Sequence, residues 1–157
     1  MNNSEITMSD THYVPPAGPD KTFGVVVRWL ADRGINLAGA QTLTVVGRKS
    51  GTPQRIPVNP MSHDGREYLV AIRGEAQWVR NVRAAGVAEL RRGRRRRAVA
   101  LTEIPAAERA SILRAYLATW GWEVKRFLPE GLTVDADDAT LAAHVHQLPV
   151  FEVSPAA

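Results

Sequence analysis

Short β-branched runs separated by glycine-bearing turns predict an α+β domain, mainly β, with helices flanking the sheet. Three observations carry that expectation. Leu43 to Val46, Ile56 to Val58, Glu67 to Ile72, Val87 to Arg92, Arg94 to Leu101 and Leu148 to Val153 are strand-like. Ile112, Leu113, Tyr116, Leu117 and Trp120 fall at the spacing of one helix face. The chain has 157 residues, 45% hydrophobic and 23% charged, a size and composition that fit one soluble domain. Residues 1–20, polar and holding Pro15, Pro16 and Pro19, read as a flexible N-terminal tail, and 21–157 as the domain.

In chain order, Phe23, Val26, Val27 and Leu30 predict a helix over Phe23 to Asp32, stopped at Gly34. Gly47 to Thr52 joins the first two strands, and His63-Asp64-Gly65-Arg66 is a turn with Asp-Gly chemistry. Arg73-Gly74-Glu75 then releases the chain into a short helix, Gln77 to Ala85, capped by Gly86. Trp78, Asn81, Val82 and Ala85 share one face of it. Asn81 is the odd polar member: it either cross-links nearby backbone or borders a binding groove. Val87 to Leu101 forms a hairpin around Gly93, tipped by six arginines between Arg91 and Arg97. Pro105 and Glu108 open the next helix, and Trp120 continues its stripe, whereas Trp122 falls outside it and is free to line a pocket. Asp135, Asp137 and Asp138 lack the glycine and final glutamate of a calcium loop, so they predict a cap for a helix over Thr140 to Gln147.

Composition closes several routes. Without cysteine there is no disulfide, thiolate nucleophile or Cys-ligated metal, and four histidines without the right spacing predict no zinc or other metal site. No nucleophile elbow, His-Glu-x-x-His or phosphate-loop motif occurs, so catalysis falls to a bound organic cofactor. The absence of a signal-peptide pattern and of any 20-residue apolar run makes the cytoplasm the default location. A peripheral membrane contact stays open, because seventeen of the twenty cations are arginines, suited to phosphate and carboxylate. The Arg91 to Arg97 run lacks interleaved aromatics and alternates between two strand faces, which argues against sequence-specific nucleic-acid reading and for a solvated hairpin end.

The most informative stretch is Gly47-Arg48-Lys49-Ser50-Gly51. Glycines allow successive N–H groups to converge, while Arg48, Lys49 and Arg55 ring that point with charge and Ser50 adds a hydroxyl. Such a turn suits an anion, and equally a solvated hairpin tip. The run Thr44 to Gly51, then Arg55-Ile56-Pro57-Val58, Gly74 and Trp78 to Ala84, resembles the deazaflavin-dependent nitroreductase family over roughly Gln41 to Val153.

That resemblance implies a split β-barrel, like those of FMN-binding proteins, and a reductase that uses coenzyme F420 to pass a hydride to a small activated acceptor: a quinone, enone or nitro compound. It implies cofactor-binding roles for Arg48, Lys49, Ser50, Gly51, Arg55 and Arg73 toward phosphate and acidic tail. Pro57, Val58 and Asn59 would meet the ring edge, and Gly74, Trp78 and Asn81 would border the groove. Tyrosines usual in the segment matching Trp120 to Phe127 are replaced here, which leaves Tyr116 and Trp122 as the only candidates near the chemistry and no clear proton donor. Two alternatives remain open. One is an FMN-binding enzyme or carrier on the same fold; the other is a non-enzymatic module that meets nucleic acid or anionic membrane through Arg91 to Arg97. A monomer and a homodimer are equally compatible with the sequence.

Overall fold

The computed structural model describes residues 12–14 and 40–156. The expected helix over Phe23 to Asp32 lies outside them. The sequence expects one domain; the described residues gather into two compact units, one holding the sheet (40–69, 77–103 and 151–156) and one mainly helical (12–14, 70–76 and 104–150).

In the sheet unit, seven strands form one sheet in the order β2-β1-β5-β6-β7-β4-β3. They are β1 (Gln41–Val46), β2 (Pro53–Val58), β3 (Met61–His63), β4 (Arg66–Val70), β5 (Val87–Arg92), β6 (Arg95–Glu103) and β7 (Val150–Pro155). The two outermost strands, β2 and β3, are linked by only Asn59 and Pro60. Three Cα steps from Val58 to Met61 reach at most about 11 Å. Laid flat, seven strands would separate those edges by roughly 29 Å. The sheet is therefore curled until its edges meet, which is the split barrel. Leu43, Val45, Leu90 and Val99 are at most 1% exposed inside it. Each contributes about 1.5–3 kcal/mol by leaving water.

The hairpins follow local chemistry. Asp64 (φ 51°) and Gly65 (φ 76°) take the two left-handed positions of a tight β3–β4 turn, as Asp-Gly predicts. Helix α1 (Gln77–Ala85) has the expected bounds, and Gly86 ends it at φ 71°, its N–H donating to the Val82 carbonyl at 2.8 Å. Its buried face differs from the expected one: Val79, Asn81 and Val82 turn inward against β1, while Ala85 is exposed. The sheet needs the face that points at β1, and one turn of helix carries Ala85 past it. Strand β4 stops at Val70, two residues short of Ile72, and β3 is a strand that periodicity alone does not announce.

The helical unit holds α2 (Ala110–Val124) and α3 (Asp138–His144). Pro105 opens a single 3-10 turn, Ala106–Glu108, and the α-helix starts only after Arg109. Ile112, Leu113, Tyr116 and Leu117 are buried as expected; the stripe then passes through Gly121 and Val124, with Trp120 only half-buried. A Cβ at position 121 would collide with the Val134 side chain, so glycine there permits the close approach. Asp137 caps α3 by accepting the Thr140 N–H at 2.8 Å, which holds its carboxyl below its ordinary range. The helix itself runs from Asp138 and closes in a 3-10 turn, Val145–Gln147. Arg109, 6% exposed, donates to the carbonyls of Ile104 and Val145 at 2.8 and 3.0 Å. Within the expected flexible tail, His12 to Val14 run beside Arg73 to Glu75: Val14 N–H reaches Arg73 O and Glu75 N–H reaches His12 O, both at 2.8 Å.

Candidate functional site

The turn between β1 and β2 is built by its own amides. Gly47 N–H donates to Thr52 O and Gly51 N–H to Gly47 O, each at 2.9 Å, while Gly51 supplies φ 71°. Thr52 N–H donates to Ser50 Oγ at 3.2 Å, and that hydroxyl also meets Thr52 Oγ1 at 2.8 Å. A Cβ on Gly47 would lie 2.6 Å from Ser50 Oγ and 3.3 Å from Thr52 O. Gly47 leaves room for the Ser50 hydroxyl, and Gly51 supplies the left-handed conformation.

Arg48 does not point outward. Its N–H and its Nη1 both donate to Asn81 Oδ1, at 3.1 and 2.9 Å, and its Nη2 donates to Gln77 Oε1 at 3.0 Å. Asn81, 5% exposed on α1, thus cross-links the turn to the helix. The amides of Gly47, Arg48, Gly51 and Thr52 are all used within the protein. Those of Lys49 and Ser50, and the Lys49 ammonium, have no partner among the described residues, and both residues are exposed. The convergent donors expected from the glycines reduce to these. Arg55 is exposed on β2, two residues beyond the turn.

At the far end of β2, Pro57, Val58 and Asn59 are half-buried, and the strand has only β1 beside it. The Asn59 Oδ1 is buried with no hydrogen-bond partner. Five residue steps of about 3.3 Å separate Pro53 from Val58, so the two ends of β2 stand some 17 Å apart along the strand. Trp78 is half-buried on α1, its ring 5.9 Å from that of Phe151 and tilted by 52°.

The other sequence candidates belong to the helical unit. Arg73 lies 4.1 Å over the Phe127 ring with its Nη1 buried and unpartnered. Gly74, at φ 86°, is passed so closely by the His12 carbonyl that any side chain would collide with it. Tyr116 is 5% exposed; burial first, and the Glu123 carboxylate second, push its hydroxyl far above the ordinary tyrosine value. Trp122 is 72% exposed, its indole N–H resting on Thr119 O at 3.2 Å. Among the described residues no group of three or more His, Asp or Glu could hold a metal, and no helix is long and apolar enough to cross a membrane. Sequence reasoning missed Gln77. It lies one helical turn before Asn81, and that i, i+4 spacing was the available signal.

A curled sheet whose outermost strands are joined by Asn59 and Pro60 alone is the frame of a split barrel. The family model described as F420H(2)-dependent quinone reductase matches residues 25–125, and the chain belongs to that family. It is thus an oxidoreductase that uses coenzyme F420. No curated protein matches at a significant level. Among solved structures, an F420-H2 dependent reductase (FDR-A) is 19% identical with a TM-score of 0.50, the match covering 74% of this chain and 94% of that one. A protein solved as a domain-swapped dimer is 17% identical with a TM-score of 0.51, over 87% and 96% of the two chains. Atu2129, of unknown function, from Agrobacterium tumefaciens str. C58, is 13% identical with a TM-score of 0.51, over 92% and 60%. At these identities the structural matches speak for the fold alone.

Proposed function

We propose that the acceptor is a quinone, and that the coenzyme is held by its negative charge at the Gly47 to Thr52 turn. The observation that carries this reading is the turn's tip, where the Lys49 ammonium and the amides of Lys49 and Ser50 have no partner among the described residues. These donors fit a phosphate, with Gly51 shaping the turn and Arg55 adding charge nearby. Pro57 and Val58, with Asn59 after them, present edge-strand backbone to the polar edge of the ring. A span of some 17 Å suits a ligand whose ring and acidic tail are many bonds apart. Trp78, braced by Phe151, supplies an aromatic wall.

When bound, the reduced coenzyme supplies a hydride. A quinone that gains one becomes a phenolate-like anion, whose pKa of about 10 lets water protonate it near neutral pH. No side-chain acid is then required. This agrees with Tyr116, whose buried hydroxyl keeps its proton, and with Trp122, whose indole N–H is no acid near neutral pH. Enones and nitro compounds follow the same hydride chemistry and are the acceptors to compare. The reading places the reaction in the cytoplasm, where a cysteine-free chain loses nothing to reducing conditions. A lipid-soluble quinone would bring the enzyme to a membrane surface from that side.

Fluorescence titration with oxidised F420 and with FMN tests the cofactor site. Wild type should bind F420 more tightly than FMN, and Lys49→Ala should weaken F420 by about 1.5–3 kcal/mol, tenfold or more. Equal or tighter FMN binding, or unchanged affinity in Lys49→Ala, overturns the assignment. Steady-state rates with a soluble naphthoquinone, a cyclic enone and a nitroaromatic then rank the acceptors; a quinone slower than both others removes the quinone reading.

A further inference from the structure

A carbonyl oxygen has two lone pairs, and Asn81 Oδ1 spends both on Arg48. Because the two atoms facing it are N–H donors, the side-chain amide can stand only one way round, with its oxygen toward the turn. Gln77, one helical turn earlier, accepts the other arm of the same guanidinium. Both acceptors are neutral. The guanidinium is held in place with its charge intact, where a carboxylate would have cancelled it.

Lys49 differs in every respect. It is exposed, has no partner among the described residues, and is attached to the next residue of the same turn. The amides that Gly47, Arg48, Gly51 and Thr52 commit internally set the direction in which those of Lys49 and Ser50 face. Moving Arg48 off α1 would release the Arg48 amide and let the tip rotate.

From this we infer that Asn81 is a positioning residue: it fixes Arg48, and through Arg48 the turn, so that the Lys49 and Ser50 donors are ready for the coenzyme's anionic group. Its contribution to coenzyme affinity runs through Arg48 and not through a contact of its own. The inference rests on the coenzyme site proposed above and changes the role of Asn81 within it from ligand to strut.

The test is a double-mutant cycle read as the dissociation constant for oxidised F420, in Arg48→Ala, Asn81→Ala and the double variant, with Lys49→Ala alongside. Each alanine variant should bind about tenfold more weakly, and the double no more than twofold worse than the weaker single. A direct contact predicts instead a roughly hundredfold loss in the double variant. That result overturns the inference, as does unchanged affinity in Asn81→Ala while Lys49→Ala is weakened. If Lys49→Ala binds normally, the coenzyme site itself is wrong and the inference falls with it. Should Asn81→Ala fail to fold, the exposed Gln77→Ala takes its place in the cycle, with a threefold loss expected alone and none beyond Arg48→Ala.

Discussion

Two hairpin ends in the sheet unit carry neighbouring cationic side chains, and they differ in what stands behind them. The β1–β2 turn has Arg48 and Lys49 over a helix that offers two amide oxygens. The β5–β6 end has six arginines from Arg91 to Arg97 and far more charge. There Arg91 Nε folds back onto Gly93 O at 2.7 Å, and Arg97 forms a two-pronged pair with Glu67, at 2.7 Å on each side. Arg92, Arg94, Arg95 and Arg96 are exposed. In register, Arg91 stands opposite Arg96, and Arg92 opposite Arg95, so like charges face each other across the ladder. Charge density does not by itself make a binding site. At the first end a helix behind the turn fixes Arg48 through neutral acceptors; at the second, Arg97 is spent on a carboxylate.

The contrast is sharpest at the glycines. Gly47→Ala forces a Cβ against Ser50 Oγ and should cost more than tenfold in F420 affinity, over about 1.4 kcal/mol, with a loss of melting temperature of only a few degrees. Gly93 sits at φ 62°, so Gly93→Ala should cost about 1–2 kcal/mol of folding stability and leave the affinity within twofold. Calorimetry and fluorescence titration on both variants separate the two effects; normal binding by Gly47→Ala would erase the distinction between the ends. A smaller effect is expected at Glu67, whose hydrogen bond to Arg97 is the largest cause of that arginine's raised pKa. The pair is partly exposed, so Glu67→Gln should lower unfolding stability by about 0.2–1 kcal/mol in urea titrations and leave coenzyme binding alone. Smallest of all, Arg95→Gln relieves a like-charge pair. It should change stability by no more than about 0.5 kcal/mol, upward at low salt and undetectably in high salt. A stability loss there would mean that the run has partners it does not show.

Features legible in the sequence were the ones whose causes are local. Asp64-Gly65 and Gly86 impose backbone conformations that few other residues accept, so both were placed correctly from a handful of letters. Burial on α1 was harder: Val79 replaces Ala85 because β1, not the helix, decides which way is in. Trp120 gave way to Gly121 for a similar reason, since Val134 comes close enough to occupy the space a side chain would need. The turn itself could be read from its glycines, but the orientation of Arg48 could not. Its partners lie 29 and 33 residues away, and nothing in a local pattern reports a hydrogen bond at that separation. The pinning of His12 to Val14 beside Gly74 was hidden in the same way.

The place of β7 has a consequence for biogenesis. It is the final strand in the chain, yet it sits between β6 and β4. On a ribosome, β1, β2, β5 and β6 can zip together through neighbouring hairpins while β3 and β4 wait as a detached pair. Among the described strands no backbone ladder joins those halves until residues 150–155 have emerged to slot between them. Nascent chains stalled before that point should remain open to proteases along the uncovered flanks of β6 and β4.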